Sequence, residues 1–214
     1  MLEDVFSLFP TAVAKYRYYD HEVFKKSLYE LIVQTKKANI RDDDTLNSKH
    51  YFEQDVSFLD LESMSSFKKF VLDSVNSYCN DVLEVNTDLF ITEAWVNQTN
   101  SGYSEHMHNH GNSYVSAVYY VNYNKEKHSP LEFQNNKHKS TQLPYLLLKP
   151  ENFNKFNAMG FVMHDVNEGN LIVFPSHIEH GFNNNQGNDR ISIAFNFLPK
   201  YGSNGAYKFG VEKI

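Results

Sequence analysis

The chain has 214 residues, a formal net charge of −6 and 15% aromatic residues, with 17 Phe and 14 Tyr. That length fits one domain, spanning residues 1–214, with a sizeable ring-rich core, and the acidic balance argues against nucleic acid as a partner, which needs a basic face. Cys79, the single cysteine, cannot close an internal disulfide, no apolar run approaches a bilayer span, and the acidic start Met1–Asp4 lacks a signal-peptide layout. The expectation is a cytoplasmic protein with no membrane partner.

Residues 5–19 read as an early strand after the Leu8-Phe9-Pro10-Thr11 entry, with Val13, Lys15 and Arg17 alternating with Ala14, Tyr16 and Tyr18. Asp20 suits the N-cap of a helix over about 21–38, with Glu22 early and Lys36 and Lys37 late, matching the helix dipole. Its apolar face holds Phe24, Leu28, Leu31 and Ile32. The run Asp42-Asp43-Asp44 reads as a solvated loop. A second helix fits 61–84, with Met64, Phe67, Phe70, Val71, Val75, Tyr78 and Val82 on one core-facing stripe. Beyond it the apolar period falls from 3.6 to 2, and strands are expected at 89–97, 105–110, 113–122, 143–148, 160–166, 170–174 and 190–198. The polar segment 123–157 reads either as a substrate-binding lid or as a variable surface excursion. Helices followed by a run of strands predict an α+β domain, a sandwich or barrel backed by helical support at about 20–84.

The chemistry concentrates in Glu105-His106-Met107-His108-Asn109-His110. In a regular strand the three imidazoles share one face, and two of them with a distant histidine can close on iron(II), zinc or copper. A polar solvated loop is the plain alternative. At about 6.6 Å between alternate residues, twice the strand rise, the three cannot all reach one ion. The distant partner is His180, with His177 nearby, after the apolar run Leu171–Phe174. Past the turn Asn183–Asn188, Arg190, Ser192, Ala194 and Asn196 alternate with Ile191, Ile193, Phe195 and Phe197. An inward guanidinium needs a carboxylate, supplied by a ligand or by a salt bridge to Glu93 or Glu132.

A His-x-His strand, a distal histidine about seventy residues on, and Arg-x-Ser ten residues after that resemble the iron(II)/2-oxoglutarate-dependent dioxygenases. The closer resemblance is to a family of such oxygenases from bacteria and tailed phages. It rests on Leu8–Thr11, on Trp95-Val96-Asn97, and on His108-Asn109-His110 with Ser116-Ala117-Val118-Tyr119-Tyr120. It closes on Phe174-Pro175-Ser176, His180 and Arg190–Asn196.

The resemblance implies a double-stranded β-helix (jelly-roll, cupin-like) core at about 89–198. It further implies iron(II) on His108, His110 and His180, with 2-oxoglutarate as small-molecule cosubstrate held by Arg190, Ser192, Tyr120 and Ser116. His106, Trp95 and Asn97 become pocket or supporting residues. His110 stands where most of the superfamily carries a carboxylate. The function implied is a hydroxylase acting on a peptidyl or amino-acid substrate, in the cytoplasm of a bacterium or a phage-infected cell. The alternatives are a non-catalytic jelly-roll metal-binding or structural protein and a three-histidine cupin dioxygenase, the latter opposed by the placing of Arg190.

Overall fold

The computed structural model describes the chain apart from residues 6, 8, 9, 36, 37, 41–46, 54, 136–150, 153, 155–157, 204, 213 and 214. The described elements run β1 (Ala14–Arg17), α1 (His21–Gln34), β2 (Ala38–Ile40), β3 (Ser48–Tyr51), α2 (Ser65–Ser77), β4 (Leu89–Thr99), β5 (Glu105–His108), β6 (Val115–Asn122) and β7 (Glu132–Gln134). They continue with β8 (Gly160–Val162), β9 (Asn170–Pro175), β10 (Glu179–Phe182), β11 (Arg190–Pro199), β12 (Tyr201–Ser203) and β13 (Lys208–Gly210).

Seven strands form a large sheet in the order β1-β9-β6-β11-β4-β3-β2, and four form a small sheet in the order β5-β10-β7-β8. All their described pairings are antiparallel. This is the expected double-stranded β-helix with helices behind it. The alternation of β6 shows how the layers are bound together. Val115, Ala117, Tyr119 and Val121 join the core under α1 and α2, while Val118 and Tyr120 join Phe133, Ile172 and Phe174 between the sheets. A strand covered on both faces is apolar nearly throughout, as β6 and β9 are.

The helix-side core is built from rings. Phe24 of α1 stacks on Phe67 of α2 at 3.7 Å between centroids, and Phe67 meets Tyr119 edge-on at 4.7 Å. Such pairs add about 0.5–1.5 kcal/mol to the gain from burial. The Tyr119 hydroxyl lies 2.8 Å from His21 Nδ1, tying α1 to the large sheet.

Several element boundaries differ from expectation. The first strand covers four residues, because the chain turns at Tyr19–Asp20 into α1. Asp20 occupies the N-cap position without a side-chain capping bond. The first helix ends at Gln34, where Thr35 turns extended, and β2 follows where more helix was expected. The second helix is shorter than its stripe. Residues 56–60 and 62–64 are 3₁₀ turns, and Tyr78–Val82 widen into a π turn. Val82 is therefore 49% exposed, off the buried stripe. Short, polar β3, β7 and β10 carry too few apolar residues for periodicity to show them. The expected strand at 143–148, the triple-aspartate run, Lys36–Lys37 and Leu8–Phe9 lie outside the described residues.

Candidate active site

The histidine run does not form one regular strand. β5 ends at His108, which lies directly opposite His180 on β10, but the next facing pair is Glu105 with Phe182. Between these pairs one residue of β10, Gly181, faces two of β5, His106 and Met107, a β-bulge that reverses the side-chain phase. Glu105 and His108 both turn inward, and His106 turns out to solvent. Gly181 makes the bulge possible, since a Cβ there would collide with the Glu105 and His106 carbonyls. The expectation of three histidines sharing one face is corrected. His106 is excluded by the bulge rather than by metal–ligand distance.

His110 lies past the strand end, held by its N–H donating to the Ser176 carbonyl at 3.0 Å. Imidazole nitrogens of His108, His110 and His180 all lie within 4.8 Å of one another. The His108 Nδ1–H donates to the His106 carbonyl at 2.7 Å, and the His180 Nδ1–H donates to Ile178 at 2.9 Å. Each of these two rings therefore offers its Nε2 lone pair, oriented as a metal ligand needs. Burial pushes the His180 pKa down to about 3, with smaller contributions from His108 and His110. Burial, then His108, lowers His110 as well. Three imidazoles at this spacing fit a divalent cation of borderline softness. His177, the other sequence candidate, is exposed and stands outside the cluster.

Behind His110 runs a polar chain. Ser176 Oγ donates to Ser116 Oγ, which donates to Asn196 Oδ1 at 2.8 Å, and Asn196 Nδ2 donates to Glu93 at 2.7 Å. The same amide lies 3.4 Å from His110 Nδ1. The Ser116 hydroxyl is thus engaged in this chain, while the residue still lines the pocket.

At the far end of the pocket stands Arg190, 1% exposed. Its Nε donates to the Ser129 carbonyl at 3.0 Å and its Nη1 to Ser192 Oγ at 3.3 Å. The guanidinium carbon sits 4.1 Å over the Phe182 ring, and Tyr120 hydrogen-bonds to the group. Tyr120 also accepts the Leu131 N–H at 2.9 Å. Burial lowers the Arg190 pKa, yet an arginine this basic stays cationic. Neither Glu93 nor Glu132 forms an ion pair with it, nor does another carboxylate among the described residues. A buried, uncompensated guanidinium is costly, and the missing counter-ion fits a ligand carboxylate.

Between these two ends lies a pocket of about 540 Å³, including its open mouth. Trp95, Asn97, Glu105, Phe174, Phe182 and Ala194 line it with the histidines and Arg190. Trp95 approaches His110 at 6.1 Å between ring centroids. Asn97 faces Ser192 across the β4–β11 ladder. Sequence reasoning missed Glu105 and Phe182. The signal was Gly181 beside His180, a glycine in a strand marking a bulge or close backbone approach.

Solved structures share this fold. A Pseudomonas putida prolyl-4-hydroxylase is 15% identical, with 87% of this chain and 92% of that chain covered and a TM-score of 0.57. HygX from Streptomyces hygroscopicus, solved with nickel and 2-oxoglutarate bound, is 16% identical, with 88% and 83% covered and a TM-score of 0.60. The non-heme alpha ketoglutarate dependent epimerase SnoN from nogalamycin biosynthesis is 10% identical, with 89% and 80% covered and a TM-score of 0.61. No curated protein matches the chain by sequence. The fold is the one these oxygenases share, and the site offers the imidazoles and the buried guanidinium that an iron(II)/2-oxoglutarate-dependent oxygenase needs. Residues 93–196, which hold the three histidines and Arg190, match the model of the family described as "Putative 2OG-Fe(II) oxygenase".

Proposed function

We propose that the protein hydroxylates a C–H bond of a peptidyl or amino-acid substrate, with His108, His110 and His180 holding iron(II). Arg190, with Ser192 and Tyr120, takes the far carboxylate of 2-oxoglutarate. The observation that carries this reading is the buried Arg190, without a protein carboxylate, at the opposite end of one pocket from three converging imidazoles. Iron(II) with 2-oxoglutarate supplies dioxygen activation coupled to decarboxylation of the cosubstrate to succinate and carbon dioxide.

The chain's own residues bind, orient and exclude water. The carbonyls of His106 and Ile178 aim two ligand rings before any ion arrives. Ser129 and Phe182 fix the guanidinium fork, which suits bidentate grip on a carboxylate. Phe174, Phe182, Leu131 and Val118 wall the space between. The peptidyl or amino-acid preference draws support from the tyrosine and serine spacing on β6. The single domain over 1–214 and the bacterial or phage-infected cytoplasm belong to the same proposal. Among the described residues, no helix is long and apolar enough to cross a membrane.

The test needs no prime substrate. Wild-type protein with iron(II), oxygen, ascorbate and 2-oxoglutarate is expected to release succinate slowly, and His180→Ala is expected to release none. Absence of succinate from protein of confirmed iron content favours the non-catalytic binding protein. That reading predicts a filled pocket with no room for a ligand beside Arg190.

A further inference from the structure

Ser129 and Ser192 aim the Arg190 guanidinium at its tip, but the tip also depends on where the backbone beneath it stands. The sheet supports that backbone on one side only. Arg190 faces Thr99 on β4, whereas the β6 ladder stops at Ile191, opposite Asn122, beyond a register shift. Arg190 therefore opens β11 with no partner residue on its β6 flank.

Asp189, the residue before it, takes the place of the missing ladder. Its backbone is left-handed, with φ of 60°, a conformation that a residue with a side chain keeps only where the surroundings hold it. Gln98 of β4 donates to Asp189 Oδ1 at 2.6 Å, and Tyr29 of α1 and Asn122 of β6 each donate to Oδ2 at 3.2 Å. Asn122 donates to the Asp189 carbonyl as well, and the Asp189 N–H donates to Asn100 Oδ1 at 3.1 Å. One residue is thus tied to the helix layer and to both strands beside β11. Its carboxylate lies on the helix side of the sheet, where Tyr29 packs against the core, and none of its donors lines the pocket.

We infer that Asp189 is a positioning residue for the cosubstrate. From the helix side it fixes the backbone that carries Arg190, and so the place where the far carboxylate of 2-oxoglutarate is gripped. This rests on the oxygenase reading above. A bidentate grip tolerates little displacement of the guanidinium fork, because two N–H···O bonds must keep their length and angle together.

Two acids separate this role from general support of the fold. 2-Oxobutanoate chelates a metal through the same 2-oxo acid group as 2-oxoglutarate but has no far carboxylate for Arg190. Iron(II)-loaded protein is titrated anaerobically with each acid, and the visible band of the chelate reads binding. Wild type is expected to prefer 2-oxoglutarate by about tenfold or more, as a desolvated charge pair implies. Glycine adopts the left-handed backbone freely, so Asp189→Gly removes the carboxylate without forcing the chain. It is expected to cut the preference by about fivefold or more, the equivalent of a lost hydrogen bond at the grip, while 2-oxobutanoate binds within about twofold of wild type. Should Asp189→Gly fail to fold, Asn122→Ala, which removes both bonds from β6, is expected to cut the preference by about threefold or more. An unchanged preference in the variant, or equal weakening of both acids, overturns the inference alone. A wild type that shows no preference, or binds neither acid, sinks the oxygenase reading itself and the inference with it.

Discussion

On β11, Ile191, Ile193, Phe195 and Phe197 enter the helix-side core, while Arg190, Ser192, Ala194 and Asn196 turn toward the small sheet. The same division runs through β6, where Tyr119 packs under the helices and Tyr120 packs between the sheets, against Arg190. One face gathers rings and branched chains whose burial stabilises the fold. The other gathers a guanidinium, hydroxyls, amides and imidazoles, whose burial is costly without ligands. Stability and function are therefore separable by substitution, strand by strand, although the residues concerned alternate along the same backbone.

The sharpest separation lies in the proposed metal ligands. His108→Ala, His110→Ala and His180→Ala are each expected to strip iron(II) from the protein, beyond the roughly 10–100-fold loss that follows removal of a supporting partner. His106→Ala is expected to keep near-stoichiometric metal, because its ring points to solvent. His110→Asp is expected to regain binding, since it supplies the carboxylate used more widely in the superfamily. Metal content by mass spectrometry after anaerobic loading decides between the registers. Retention by His110→Ala with loss by His106→Ala would mean that the bulge is misplaced.

The opposite perturbation belongs to the helix side. Phe67→Ala removes a ring that is 1% exposed and touches Phe24, Tyr119 and Phe195. A loss of about 3–5 kcal/mol is expected from urea unfolding, in line with deletion of a large buried aromatic. Metal stoichiometry of the folded fraction should not change. Impaired metal loading in that fraction would show that the two faces are coupled.

The strict alternation of Arg190–Phe197 made this division readable in the sequence. It predicted both faces of β11 and, with His108, His110 and His180, most of the site. The helical stripe of Phe67, Val71 and Val75 was equally clear, because apolar residues at a period of 3.6 leave an unambiguous mark. The bulge left a weaker one. A one-residue phase change in β5 follows from the backbone of β10 approaching at Gly181, and the local pattern of the histidine run contains no trace of it. Glu105 therefore looked like the residue before the motif, when it is a wall of the pocket. The Ser116–Asn196–Glu93 chain was also hidden, since it joins three strands far apart in sequence.

Arg190→Leu tests the polar face without touching the metal. The proposed guanidinium–carboxylate pair is fully desolvated, so its loss is expected to weaken 2-oxoglutarate binding by about 2–5 kcal/mol, the usual effect of breaking such a pair. Iron(II) affinity should stay the same, because Arg190 stands at the other end of the pocket. Fold stability should fall much less than in Phe67→Ala, since leucine removes a buried charge that no protein carboxylate balances. Calorimetry with the metal present reads the first effect and urea unfolding the last. Unchanged 2-oxoglutarate affinity would end the cosubstrate assignment.

The smallest effects, and the finest division of the two faces, come from the adjacent tyrosines. Tyr119 and Tyr120 are both fully buried, and their hydroxyls point to opposite sides of β6. The Tyr119 hydroxyl bonds His21 Nδ1, whereas the Tyr120 hydroxyl accepts the Leu131 N–H and reaches Arg190. Removing one such bond costs about 1 kcal/mol, somewhat more where a buried partner is left unsatisfied. Tyr119→Phe is therefore expected to lower stability by about 1–2 kcal/mol and leave 2-oxoglutarate affinity untouched. Tyr120→Phe is expected to weaken 2-oxoglutarate binding by about 1 kcal/mol, roughly fivefold, because the guanidinium loses one of the groups that aim it. Calorimetry and urea unfolding on the same pair of proteins give a two-by-two comparison. If both substitutions move the cosubstrate affinity alike, Arg190 is positioned by the sheet as a whole, and the division between the faces fails at its finest scale.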